Sequence, residues 1–213
     1  MNLVLASFKF LTTNSEIGIV GGKTLFEDDR TSIWDAGGYI SKKEYRGIRR
    51  RDDDPGVNVI GEVGFVTCCL ALIKKEVVEK VGPLPEVYFF GSEEWDFSLR
   101  AQRAGFKLLY TPECVIYHKV GRSHDHTSLK MMYNTLRNRL LFTKRNFKKS
   151  EYRWFKFRFL VGKFILRLLN KGQLKIYSIK EAYHLIIQVW KDSSVYDYVS
   201  FDHIKNNTIL LYH

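Results

Sequence analysis

The stretch GSEEWDFSLRAQRAGF, Gly91 to Phe106, opens on three carboxylates and closes on a glycine. Ser92 is a natural N-cap and Gly105 a natural C′ stop, so the stretch predicts a single short helix. Glu93, Glu94 and Asp96 crowd its first turn. A helix N-terminus carries partial positive charge and free N–H groups, so acids are stabilised there. Asp96 also has Arg100 one turn on to pair with. Three acids nevertheless exceed what a cap needs. Tyr88, Phe89, Phe90 and Gly91 ahead of them predict a tight turn that presents the cluster at the mouth of a cleft. A carboxylate held there can act as a general base.

Outward from this helix, short apolar segments alternate with short helical ones, as in an α/β fold. Upstream, KKEVVEKVG predicts a helix stopped by Gly82. VGFVTCCLALI reads as a central strand, and IGIVGG as a buried strand preceded by a short helix over 3–12. Residues 24–58 read as a long irregular loop, of the kind that is functional or mobile. Downstream, FKLLYTP and CVIYHKV predict two strands broken at Pro112. SLKMMYNTLRNRLLFTKRNF predicts a helix, and so does SEYRWFKFRFLVGKFILRLLNKG, bounded by Ser150 and Gly172. The reading divides the chain into 1–125, an α/β part, and 126–213, a helical and basic extension.

The net charge of +11 is unevenly spread over the 213 residues. Residues 1–118 carry 15 Lys/Arg against 17 Asp/Glu, and residues 119–180 carry 17 against 2. The basic character therefore belongs to one segment. Cys68, Cys69 and Cys114 lack a metal-site or CxxC spacing and read as reduced, buried thiols of a reducing compartment. No apolar run approaches the ~20 residues of a membrane-spanning helix, and MNLVLASF lacks the basic start of a signal peptide.

Five short motifs in order carry a resemblance. These are Cys69 to Glu76 followed by Val81–Gly82; Glu93-Glu94-Trp95-Asp96 with Arg100; Ala104–Gly105; Pro112; and His118-Lys119-Val120-Gly121-Arg122-Ser123. IGIVGGKTLFEDD and WDAGGYI fit upstream, and YNTLRNRLLFTKRNF fits downstream. Together, over most of residues 15–170, they resemble the C-terminal half of family 2 glycosyltransferases of the GT-A fold, in particular the rhamnosyltransferase-like branch. The resemblance implies a partial GT-A, Rossmann-like domain with a mixed sheet. It implies transfer of a sugar, rhamnose first among the candidates, from a nucleotide-sugar donor to a glycan or lipid-linked acceptor, with inversion. Glu94 takes the position of the catalytic base, where the family often has Asp. Glu93, Trp95, Asp96 and Arg100 take acceptor-side positions, with Arg100 holding Asp96. His118 falls where the family helps to bind a divalent cation, Mn²⁺ or Mg²⁺, and neutral imidazole suits such an ion.

The nucleotide-binding half and the DxD of that family have no counterpart here. Asp52 and Asp54 spell a DxD but lie in an acceptor-side loop, where Pro55-Gly56 reads as a turn. The chain therefore reads as an acceptor-side fragment: a truncated product, one half of a split enzyme with a separate N-terminal half, or an excised domain. His124 and His126 read as part of a solvated loop.

In YRWFKFRFLVGKFILRLLNKG, Arg153, Lys156, Lys163, Arg167 and Lys171 share a narrow arc at helical spacing, with Trp154 near the start. Apolar side chains fill the rest. That pattern predicts an interfacial helix whose stripe of Arg153, Lys156, Lys163 and Arg167, with Trp154, contacts an anionic membrane surface. The expected location is cytoplasmic, peripheral at the inner face of the cell membrane. No nucleic-acid-binding motif is present, so nucleic acid is not the expected partner. The alternative function is a non-catalytic, membrane-associated remnant or scaffold derived from such a transferase.

Overall fold

The computed structural model describes residues 10–88, 90–121 and 128–195. The chain forms two units: Met1–Pro85 with Ser92–Ser123, and Glu86–Gly91 with His124–His213.

The first unit is an α/β fold around a mixed sheet. Its centre is β1 (Ile17–Phe26) paired in parallel with β7 (Lys107–His118). The other edge of β1 carries two short antiparallel strands, β2 (Ile33–Asp35) and β6 (Ala71–Ile73), while β5 (Gly61–Glu62) lies antiparallel to β7. β3 (Gly38–Ser41) and β4 (Arg46–Arg49) form a separate hairpin. Helices α1 (Lys75–Val81) and α2 (Glu93–Arg103) complete the unit. Val77, Phe97 and Ala101 of these helices pack with Ile19, Val66 and Leu108 in the larger core. A smaller cluster of Leu11, Ile17 and Val20 is packed by Leu72 and Leu109.

IGIVGG forms a strand, as expected, and Gly82 and Gly105 end their helices with φ of 76° and 94°. Residues 10–13 are helical; the remainder of the expected 3–12 helix lies outside the described residues. The expectation of a central strand over VGFVTCCLALI is overturned. That segment, which follows β5, breaks into an isolated bridge at Phe65, a turn through Cys68–Cys69, and the short strand β6. It is apolar because it is buried in passing. A Cβ on Gly21 of β1 would come within 2.4 Å of Val66, so the segment presses against bare backbone there. Apolar content alone does not separate a crossing segment from a strand. Pro112 likewise does not end a strand. β7 runs through it because the register jumps from Gly22–Thr111 to Lys23–Val115, and the three intervening residues bulge out. A proline is tolerated in such a bulge, where its missing N–H costs no ladder bond. The supposed irregular loop over 24–58 holds β2, the hairpin and a 3-10 turn at Pro55–Asn58. Cys114 is buried as expected, but Cys68 and Cys69 are exposed at their turn; all three are free.

The second unit packs α3 (Leu129–Asn146), α4 (Lys149–Leu168) and α5 (Ile179–Val195), with a 3-10 turn at Gln173–Ile176. Polar side chains of α3 hold the segment 86–91. Asn138 Nδ2 donates to the carbonyls of Tyr88, Phe90 and Gly91 at 2.7–2.9 Å, Asn134 Nδ2 donates to Phe90 at 2.7 Å, and Arg137 donates to Val87 at 2.9 Å. α4 departs from expectation in part of its basic stripe. Lys156 is buried and donates to the Trp190 carbonyl at 2.7 Å; Lys163 donates to Gln173 and Arg167 to the Tyr177 carbonyl. Three residues of the expected stripe are thus engaged by acceptors on α5 and around the 3-10 turn, and of these Lys156 alone is buried. Arg153 and Trp154 are exposed. Among the described residues, no helix is long and apolar enough to cross a membrane.

Candidate active site

Two consecutive left-handed residues, Gly91 (φ 85°) and Ser92 (φ 80°), turn the chain into α2. Ser92 is therefore not the side-chain cap its identity suggests. It occupies the cap position without a side-chain cap bond, since the left-handed backbone aims it elsewhere. The turn places Glu93 and Glu94 in the first helical turn, and Glu94 is buried at 7% exposure. Burial and the neighbouring Glu93 charge push its carboxyl up to about 7, with Arg49 opposing and Asp35 adding to the rise. A carboxylate with that value near neutrality is suited to take a proton.

The groups around Glu94 come from separate segments. Asp35, at the end of β2, is 1% exposed. Its Oδ2 accepts from the Gly37 N–H at 3.2 Å and from the Thr67 hydroxyl at 3.0 Å. Its Oδ1 lies 3.4 Å from Arg49 Nε of β4. Burial raises the Asp35 carboxyl, and Arg49 works against that rise. The Arg49 guanidinium sits over the Trp34 ring, 4.1 Å from its centroid, and Trp34 meets His118 edge-on at 4.6 Å. Burial, then the Arg49 charge, lower His118, so its imidazole is neutral. Although Cys68 is exposed at its turn, partial desolvation of its thiol and the Glu94 and Glu93 charges push it up to about 12; an un-ionised thiol is no nucleophile.

Trp95 turns to the hairpin. A Cβ on Gly47 would come within 2.4 Å of the indole nitrogen, so the ring presses on the bare backbone of β4, and it meets Phe65 edge-on at 6.3 Å. Trp95 also lines an open cleft of about 310 Å³ with Arg46, Ile48, Arg49 and Arg51. An indole face beside arginines can stack on a sugar and hold an anionic substituent.

Of the residues expected at the site, Glu93 and Glu94 are gathered with Asp35 and Arg49, and Trp95 reaches the adjoining cleft. Asp96 and Arg100 serve elsewhere. Asp96 is buried and pairs with Arg100 at 3.0 Å, and Arg100 also donates to the carbonyls of Val81 and Pro83. The pair anchors the end of α1. Asp52 and Asp54 accept backbone N–H groups of Ile33 and Gly56, at 2.9 and 2.7 Å. His118 stands beside a guanidinium, and among the described residues no three His, Cys, Asp or Glu are grouped to hold a metal. His124 and His126 lie outside the described residues. Asp35, Arg49 and Thr67 were missed. The signal for Asp35 was a carboxylate set between Trp34 and Ala36-Gly37-Gly38 in an otherwise apolar strand; Arg49 and Thr67 had none.

Compared with known proteins, the chain matches no family model and no curated sequence.

Proposed function

We propose that the chain is the acceptor-side portion of an inverting glycosyltransferase of the GT-A kind, acting on a nucleotide-sugar donor and a glycan or lipid-linked acceptor. The observation that carries this reading is Glu94: a buried carboxyl at the entrance of a helix, held near neutrality by desolvation and by Glu93. An acceptor hydroxyl placed against Glu94 gives it a proton as its oxygen attacks the anomeric carbon. The bond to the nucleoside diphosphate breaks on the opposite face, so the configuration inverts in one displacement and no enzyme nucleophile is needed. Arg49, fixed by Asp35 and by the Trp34 ring, keeps positive charge beside the carboxylate that forms at higher pH. Trp95 offers the acceptor an apolar face, and Arg46 and Arg51 favour an anionic group next to it. The donor would be held by a separate nucleotide-binding half.

The test is release of nucleoside diphosphate from a panel of nucleotide-sugars, by the chain alone and with a nucleotide-binding half supplied in trans. Glu94→Gln should lower turnover by roughly 10²–10⁴, the range for loss of a general base. Full turnover in that variant would overturn the assignment.

A further inference from the structure

At 100° per residue, Trp154, Phe157, Val161, Ile165 and Leu168 fall within roughly 80° of arc on α4. All five are exposed, Trp154 at 63% and Phe157 at 51%, and these two rings stack at 6.3 Å. Leu169, Ile176 and Ile179 continue the exposed apolar surface beyond the helix. Scattered exposed apolar side chains are ordinary, whereas a contiguous row on one face marks a surface that something covers. The opposite wall of the helix, Tyr152, Phe155, Lys156 and Leu160, is the buried one.

Next to this row the helices line an open cavity of about 730 Å³. Lys144, Lys149, Arg153 and Lys156 contribute to its wall together with Trp190, and no carboxylate does. Around the helix, Arg153 falls between Lys156 in the cavity and Phe157 on the apolar row. Residues 128–195 hold 16 Lys/Arg against 3 Asp/Glu. All three acids are engaged within the unit. Glu151 accepts from the Lys148 N–H at 3.0 Å, Glu181 from the Ser178 N–H at 2.7 Å, and the buried Asp192 from Tyr133 and Gln188. Burial and the Lys144 charge lower the Lys156 ammonium to about 8, and an anion in the cavity would favour its charged form.

We propose that the second unit docks on an anionic lipid bilayer, with the apolar row of α4 in the boundary between headgroups and acyl chains and a lipid phosphate in the four-cation cavity. The charge balance selects this occupant. A second copy would bring two strongly positive surfaces together, with Arg158 beside the row. A nucleic acid would leave the apolar row in water. An anionic interface satisfies both the row and the cations. The proposal stands independently of the sugar-transfer reading.

The full chain is sedimented with vesicles of phosphatidylcholine alone or with about a third phosphatidylglycerol. Binding should be at least tenfold tighter to the anionic vesicles and should weaken with added salt. A combined Trp154→Ser, Phe157→Ser and Ile165→Ser variant should retain its far-UV circular dichroism and lose at least tenfold. Lys149→Gln and Arg153→Gln should each lose roughly fivefold, as expected for one cation near an anionic surface. Equal binding to the two vesicle types, or no binding, overturns the proposal, and this wild-type comparison decides alone if a variant misfolds. Unaltered binding by the triple variant overturns it. Full displacement from vesicles by millimolar inorganic phosphate would overturn it in favour of a soluble-phosphate site. Loss in the triple variant of a concentration-dependent dimer, with vesicle binding kept, would overturn it in favour of a second copy.

Discussion

In the first unit Glu94 lies under the surface with its ionisation opposed by desolvation and by Glu93, and a backbone hydrogen bond and the Arg49 charge offset them only in part. In the second unit Arg137 and Lys156 are as deeply buried, yet each donates to a main-chain carbonyl, of Val87 and of Trp190. The difference separates two uses of buried charge. A cation that is matched to a carbonyl fixes a segment in place. A carboxylate set beside a like charge holds free energy that a proton transfer can release, and such unrelieved arrangements cluster where chemistry happens. The first unit contains both kinds, since Asp96 with Arg100 is matched and Glu94 with Glu93 is not.

The largest test of that contrast is turnover, where Glu94→Gln should cost about two to four orders of magnitude while Asp96→Asn acts chiefly on stability. Next in size is the scaffold. Asn138→Ala leaves the carbonyls of Tyr88, Phe90 and Gly91 without their shared donor and should destabilise the chain by about 3 kcal/mol in urea unfolding; a loss below about 1 kcal/mol would mean that the segment 86–91 is held by other contacts. A smaller effect of opposite sign is expected at Glu94. Its folded-state value lies above the ordinary carboxylate value, so the folded chain binds the proton more tightly than the unfolded one. Stability contributed by the protonated form is present in acid and is lost as pH rises from about 4.5 through about 7. Glu94→Gln should therefore raise the unfolding free energy at pH 8, by at most about 3 kcal/mol and visible as a higher melting temperature, and change little at pH 4. An equal shift at both pH values would show that the carboxyl is not strained. Least of all, Trp154→Ser should alter stability by less than about 0.5 kcal/mol, as for an exposed position.

Local signals in the sequence were read well where one residue decides. Gly82 and Gly105 stop their helices because only a left-handed residue fits there, and IGIVGG is a strand because its apolar run is buried. Ser92 shows the limit of such reading. Its side chain suits a cap, but backbone geometry inherited from Gly91 denies it that role. VGFVTCCLALI and Pro112 were misread because burial and register are set by partners distant in sequence. The burial of Lys156 on α4 was not foreseen for the same reason: helical spacing reveals an arc, but the acceptor that draws Lys156 in is the Trp190 carbonyl of α5. Of the candidate site, the α2 half was legible and the Asp35–Arg49 half was not, since its members come together only through the pairing of β2 with β1 and the fold of the β3–β4 hairpin.

The parallel pairing of β1 with β7 has a consequence for how the chain is made. Ile17 meets Lys107 and Phe26 meets His118, so every rung of the central ladder joins residues far apart in sequence. On the ribosome, β1 emerges early and stays without its parallel neighbour until nearly all of the first unit has been synthesised. Closing so long a loop makes folding slow, and an apolar strand left waiting is open to association with other chains. The helices of the second unit, whose own backbone bonds join residues four apart, form without such a wait. A nascent chain arrested before Lys107 should accordingly depend on chaperones, and one released after His118 should need them far less.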